Sequence, residues 1–207
     1  MALVTGVWAD CIDSENRRAK HKGFSLCLWR CMAIMHLLHQ LNIYSIKGRF
    51  MNLLAKLLPT QNIELNVDAS SKKRVFEYAS ILFENNQGVE RSKVFDSLLA
   101  RERLGSTALG KGVAIPHGRI KGLKEAVAAV VSVNTPVAFD APDAQPVSLM
   151  VFLLVPEQAT QQHLEILSEL AEFLSDKSNR EALMAAQSAG EVLQRVQTWE
   201  PARRSLA

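Results

Sequence analysis

Two stretches decide most of what this chain can fold into. "EAVAAVVSV" (Glu125 to Val133) and "VSLMVFLLVP" (Val147 to Pro156) are almost unbroken apolar runs, rich in β-branched residues. A strand with one wet face alternates apolar and polar side chains, so a strand apolar at nearly every position needs cover on both faces. These segments are expected at the centre of a sheet with helices above and below it. Pro136, Pro142 and Pro146 fall between them and mark a turn-rich link.

The flanking segments supply the cover. After a break at Pro59, Ile63 to Val67 reads as a short strand. From Ser70 the spacing of Val75, Ala79, Leu82 and Phe83 predicts a helix ended by "NNQG" at Gly88. A second helix carries Val94, Phe95, Leu98 and Leu99 and stops near Leu104, where a glycine-bearing loop, Gly105 to Gly112, begins. Thr160 is expected to cap a helix whose Leu164, Leu167, Leu170, Ala171 and Leu174 form one face. Shorter helices are expected at Asn179 to Gln187 and Gly190 to Trp199. No internal repeat is evident. The order of elements implies an α/β fold: a single-domain sandwich, a mixed β-sheet with helices packed on both faces.

Residues 1–50 have a different character, and they bias the composition. They hold seven Lys/Arg and three Asp/Glu, which leaves 17 basic against 18 acidic residues from Met51 onward. The first fifty residues thus carry a net +4 and the rest a net −1, so the chain's +3 comes from the former, and a broad nucleic-acid face is not expected on the body. All three cysteines, Cys11, Cys27 and Cys31, lie there too, which removes any disulfide framework from the body. Cys27, Cys31, His36 and His39 are potential zinc ligands, but only four residues separate the two pairs where zinc fingers use about a dozen. Coincidence is the favoured reading. Arg30, His36 and His39 interrupt the best apolar candidate, Phe24 to Ile46, short of the ~20 residues a bilayer span needs, so a cytoplasmic protein is expected. "MNLLAKLLPTQNIELNV" looks like a natural beginning, and Met51 is expected to open the domain, with residues 1–50 an extension or outside the native protein.

The chemistry concentrates around "GKGVAIPHGRI" (Gly110 to Ile120). The preceding "GSTALGKG" nearly matches a nucleotide P-loop, but Gly112 stands where a Ser or Thr hydroxyl should hold magnesium and the segment before it reads as helix instead of strand. Its glycines can still turn backbone amides toward an anion. Pro116 fixes the chain before His117, and Gly118 after it is expected to let another molecule approach, which would expose and orient the imidazole. The one other histidine of the body, His163, lies near a helix N-terminus, where the local field favours the neutral ring. Two histidines without a third ligand make a weak metal site, and none is expected. Residue type alone leaves both open between packing and chemistry, and Arg101 open between a solvated helix end and an electrostatic role.

"RERLGSTALGKGVAIPHGRI" (Arg101 to Ile120), "TPVAFDAPDAQPVSLMVFLLVP" (Thr135 to Pro156) and "QQHLEILSELA" (Gln161 to Ala171) together resemble the type-2 IIA domains of the bacterial phosphotransferase system, most of all its nitrogen-regulatory branch. The resemblance runs from Met51 to about Trp199. It implies that His117, in "IPHG", accepts a phosphoryl group on Nε2 from an HPr-like histidine phosphocarrier. It also implies that His163 stabilises that group and that Arg101 is the nearby cation. Gly105, Ser106, Thr107 and Gly118 are candidate phosphate contacts, with Ser106 and Thr107 alternatively shaping the turn. The phosphoryl group would come ultimately from phosphoenolpyruvate, with no other cofactor. Regulatory targets in related systems include potassium transport regulators and sensor kinases. Two other roles stay open: a sugar-specific IIA component passing phosphate to a separate IIB domain, and a non-catalytic binding module. No IIB-like cysteine or membrane region follows the domain in this sequence, which favours the stand-alone regulator.

Overall fold

A computed structural model describes residues 52–158 and 161–200 of the chain. In order, the elements are α1 (Leu53–Leu57), β1 (Ile63–Val67), α2 (Lys72–Gln87), α3 (Arg91–Glu102), β2 (Ala108–Gly110), β3 (Val113–Ala114), β4 (His117–Ile120), β5 (Val127–Val137), β6 (Val147–Pro156), α4 (Gln161–Ser175), α5 (Lys177–Ala185) and α6 (Ala189–Thr198). The readings on Cys27, Cys31, His36, His39 and the Thr160 cap lie outside the described residues.

The two apolar runs are the sheet's centre. The strand order is β1-β5-β6-β3-β2, with β4 also paired to β6. β5 and β6 run antiparallel, while β1 lies parallel to β5, and β3 and β4 parallel to β6, so the sheet is mixed. Alternate residues of the central pair go to opposite faces. Ala129, Val131, Met150, Phe152 and Leu154 meet Phe76, Phe83, Val94 and Leu98 of α2 and α3 on one side. Ala128, Val130, Val151, Leu153 and Val155 meet Ile166, Leu170, Phe173 and Leu174 of α4 on the other, together with α1, α5 and α6. Two cores on one double-sided sheet explain why neither run carries a polar face.

Local signals place the helix ends. The Ser71 side chain accepts from the Arg74 amide at the start of α2, and Gly88 ends it at φ 67°, the left-handed conformation that suits glycine. Asp176 and Ser188 cap α5 and α6 in the same way as Ser71. Asn52 caps α1, accepting from the Ala55 amide at 2.7 Å, and its amide nitrogen donates to the carbonyls of Val196 and Trp199 at 2.6 and 2.9 Å, joining the first helix to the last.

Four details depart from the sequence reading. β5 runs on through Pro136 to Val137, so the link is shorter than expected. The glycine-bearing loop contains the short strands β2 and β3, and His117 opens a strand of its own. Periodicity gave no sign of these because strands of two to four residues are too short to show one. In α4 the buried stripe is Ile166, Leu170, Phe173 and Leu174, and Leu164, expected on it, is 59% exposed. The helix is where the spacing put it, rotated by the sheet it packs on.

Candidate functional site

β3 and β4 lie one after the other along the same edge of β6, and the residues between them, Ile115 and Pro116, build the site. Val113 and Ala114 pair with Leu149 and Met150, and His117 resumes the pairing opposite Leu153. At the junction the Leu153 amide donates to the Pro116 carbonyl at 2.9 Å, so the strand partner is kept although proline offers no N–H. The ring of His117 folds back, and its Nδ1 lies 2.9 Å from the Ile115 carbonyl. A carbonyl only accepts, so Nδ1 carries the hydrogen and the lone pair of the neutral ring sits on Nε2.

That lone pair faces Arg101. The Arg101 Nε–H donates to His117 Nε2 at 3.0 Å, and the same guanidinium donates to the Gly105 carbonyl at 2.9 Å. Burial is the main reason the His117 pKa lies below the ordinary histidine value; the positive charge of Arg101 and the neighbouring His163 lower it further, against the Ile115 bond, which raises it. The geometry and the electrostatics agree on a neutral imidazole with Nε2 free of hydrogen.

His163, the third residue of α4, comes in from the other layer of helices. Its ring centroid is 6.1 Å from that of His117, with 52° between the ring planes. It is buried, at 7% exposure, and neither ring nitrogen has a hydrogen-bond partner among the described residues. Its pKa is lowered as well, by burial first and by Arg119 second. A buried polar group left unpaired costs about 1–3 kcal/mol, so such a group calls for an explanation.

Arg101, His117 and His163, far apart in the sequence, are thus brought together. The other expected contacts build the frame. The Ser106 hydroxyl donates to the Phe139 carbonyl at 2.5 Å and accepts from the Ala108 amide at 3.2 Å. The Thr107 hydroxyl and amide both donate to Glu102, at 2.6 and 3.0 Å, and the Gly105 amide to the Glu102 carbonyl at 3.2 Å. These are turn-shaping bonds, the alternative considered for Ser106 and Thr107. Gly105 has φ 147°, a conformation that side-chain-bearing residues rarely adopt. Gly118 serves packing, not the access expected of it: a Cβ there would lie 2.5 Å from Ser97 Oγ of α3.

Four residues were not foreseen. Arg119 shares the His117 face of β4 by strand alternation and is exposed. Counting two residues on from His117 would have found it, had β4 been recognised as a strand. Glu102 is buried, at 8% exposure, and Lys72 of α2 donates to it at 2.9 Å while also bonding Asp140 and lying 4.8 Å from the centre of the Phe139 ring. No sequence spacing links Lys72 to Glu102. The link before β6 braces the glycine turn too: Asp143 accepts from the Lys111 amide at 2.6 Å. Among the described residues no group of three or more His, Cys, Asp or Glu side chains is placed to hold a metal ion, and no helix is long and apolar enough to cross a membrane.

Comparison with known proteins matches residues 56–198 to the family described as the phosphoenolpyruvate-dependent sugar phosphotransferase system, EIIA 2. The chain is similar to the nitrogen regulatory protein of Pseudomonas aeruginosa, 43% identical over 126 residues, covering 60% of this chain and 82% of that one. It is 42% identical over 142 residues to the nitrogen regulatory protein of Escherichia coli strain K12, covering 68% of this chain and 87% of that one. Among solved structures it resembles the nitrogen regulatory protein IIA-Ntr from Neisseria meningitidis, with a TM-score of 0.67 and 51% identity over 70% of this chain and 99% of that one.

Proposed function

The chain belongs to the EIIA type-2 family of the phosphoenolpyruvate-dependent sugar phosphotransferase system, and from that premise we propose that His117 Nε2 accepts a phosphoryl group from an HPr-like histidine phosphocarrier and that its phosphorylation state regulates other proteins. The observation that carries the reading is the pair of bonds on the His117 ring. The Ile115 carbonyl holds the hydrogen on Nδ1, which leaves the nucleophilic lone pair on Nε2, where Arg101 now donates to it.

The step itself is an exchange of one phosphoramidate for another. The Nε2 lone pair forms a bond to phosphorus as the bond to the donor's imidazole breaks, and that electron pair returns to the donor's ring nitrogen. Such transfer asks for in-line positioning and for charge around the equatorial oxygens. For the Nε2 lone pair to reach phosphorus the Arg101 Nε–H must first leave it, and the released guanidinium can donate to a phosphoryl oxygen instead. The His163 ring, neutral, without a hydrogen-bond partner among the described residues and able to donate one hydrogen, would supply a second donor from α4. The product is high in transfer potential, which suits a relay, and adds a charge of about −1.5 to −2 to the surface that a regulated partner would meet.

Incubating the protein with phosphoenolpyruvate, the first enzyme of the system and the phosphocarrier tests the reading. An acid-labile phosphate on His117 is expected, absent from His117→Ala; wild-type protein that stays unmodified would leave only the binding module. The family's sugar systems motivate a second reading, transfer onward to a IIB domain, and adding such a domain to the phosphorylated protein distinguishes the two. Capture of regulatory proteins such as potassium transport regulators or sensor kinases, dependent on phosphorylation, supports the first.

A further inference from the structure

Glu102 sits beside the arginine and hydrogen-bonds to neither histidine, though its charge acts on His117, and its bonds form part of a closed circuit. Its carboxylate accepts from the Thr107 amide and hydroxyl at 3.0 and 2.6 Å. The Thr107 carbonyl accepts from the Ile115 amide at 3.0 Å. Ile115 in turn holds His117 Nδ1, and His117 Nε2 accepts from Arg101, the residue before Glu102. Five residues, Glu102, Thr107, Ile115, His117 and Arg101, thus close on themselves. The turn that Glu102 folds back also presents the Gly105 carbonyl to Arg101 at 2.9 Å, the guanidinium's second anchor.

From this circuit we infer that Glu102 is the positioning residue of the phosphoryl acceptor: it fixes the tautomer through Thr107 and Ile115 and aims Arg101 through the loop. The inference rests on the relay reading for its consequence, though not for its geometry. Glu102 alone in the circuit is joined to α2, through Lys72, whose ammonium is held in turn by Asp140 and by the Phe139 ring. A carboxylate this deep needs such a partner. Arginine is a long side chain with many rotamers, so a guanidinium held at Gly105 before the donor arrives loses less freedom on engaging a phosphoryl group.

The test uses the full chain with Glu102→Gln, Arg101→Ala and the double variant. Misplacement of about 1 Å at a reacting centre costs on the order of 10²-fold, and Glu102→Gln is expected to slow phosphoryl acceptance by about that factor with KM for the phosphocarrier unchanged. In the Arg101→Ala background the same substitution is expected to cost much less, since part of what it positions is gone. A purely structural role gives an additive loss, and that result overturns the inference, as does a wild-type rate in Glu102→Gln. Nitrogen-15 NMR provides an arm independent of transfer: the Arg101 Nε–H and His117 Nδ1–H signals, slowed in exchange by their bonds, are expected to broaden or vanish in Glu102→Gln, and their persistence overturns the inference. Thr107→Val, which removes one of the two bonds to Glu102, is expected to show both effects more weakly, and it replaces Glu102→Gln should that variant not fold. Wild-type protein that takes no phosphate defeats the relay reading instead, and the NMR arm then decides the positioning role.

Discussion

At the scale of single residues, the two body histidines tie function to pH with one sign. Both have pKa values lowered in the folded protein, burial being the largest cause for each. The unfolded chain, with histidines near the ordinary value of about 6.5, binds protons more readily, so stability rises with pH in this range. It is fully present above about 6.5 and is lost as the pH falls toward the lower folded values. Melting temperatures measured between pH 7.5 and 5.5 are expected to fall, less steeply in His117→Gln and His163→Gln; equal slopes in all three would refute the linkage. Phosphoryl acceptance is expected to hold constant through pH 7 and to drop only where the His117 ring becomes charged. His163 adds a conflict between stability and chemistry. Replacing a buried ring that has no hydrogen-bond partner among the described residues with an apolar one, His163→Leu, is expected to raise stability by about 1 kcal/mol while slowing transfer at least tenfold. Chemical denaturation and single-turnover phosphorylation measure the two separately.

At the scale of elements, the site depends on how closely α3 rides on β4. Gly118 admits Ser97, whose hydroxyl donates to the Arg119 carbonyl at 2.9 Å and so links the helix carrying Arg101 to the strand carrying His117. Gly118→Ala would set its new methyl 2.5 Å from Ser97 Oγ and 3.3 Å from the Leu98 backbone nitrogen. Overpacking of this kind costs about 1–3 kcal/mol. Ser97→Ala removes the nearer atom, so the double variant is expected to be more stable than Gly118→Ala alone, with transfer partly restored. If Ser97→Ala made the defect worse, the contact would not be its source.

At the scale of the molecule, one sheet carries two cores, and β5 and β6 belong to both. Phe152 is fully buried against Phe76 at a centroid distance of 5.8 Å, and Phe152→Ala is expected to cost about 3–5 kcal/mol, a large share of the roughly 5–15 kcal/mol of a typical domain. Calorimetry should show one transition moved down, not two. The second core closes between Leu54 and Val196, and Asn52 bonds across to α6. A chain beginning at Met51 is therefore expected to melt at the full chain's temperature and to phosphorylate equally well; a markedly lower melting point would show that residues 1–50 contribute to the fold.

The sequence by itself determined the layers. Runs such as "VSLMVFLLVP" declare a strand buried on both sides because burial acts residue by residue along the chain, and the helices that cover it announce themselves through spacing and caps. It also singled out His117, through the proline and glycine around it, and the resemblance singled out His163 and Arg101. Only the tertiary structure decided the rest. The tautomer of His117 depends on the Ile115 carbonyl, two residues back, which meets the ring where the chain passes from β3 to β4. The stripe of α4 and the exposure of Leu164 depend on the sheet beneath the helix. The Lys72–Glu102 pair joins two helices whose charges look like solvated surface when read in line. Local pattern records what each segment must bury, whereas a site is made of hydrogen bonds between segments, and their partners exist only once the chain has closed.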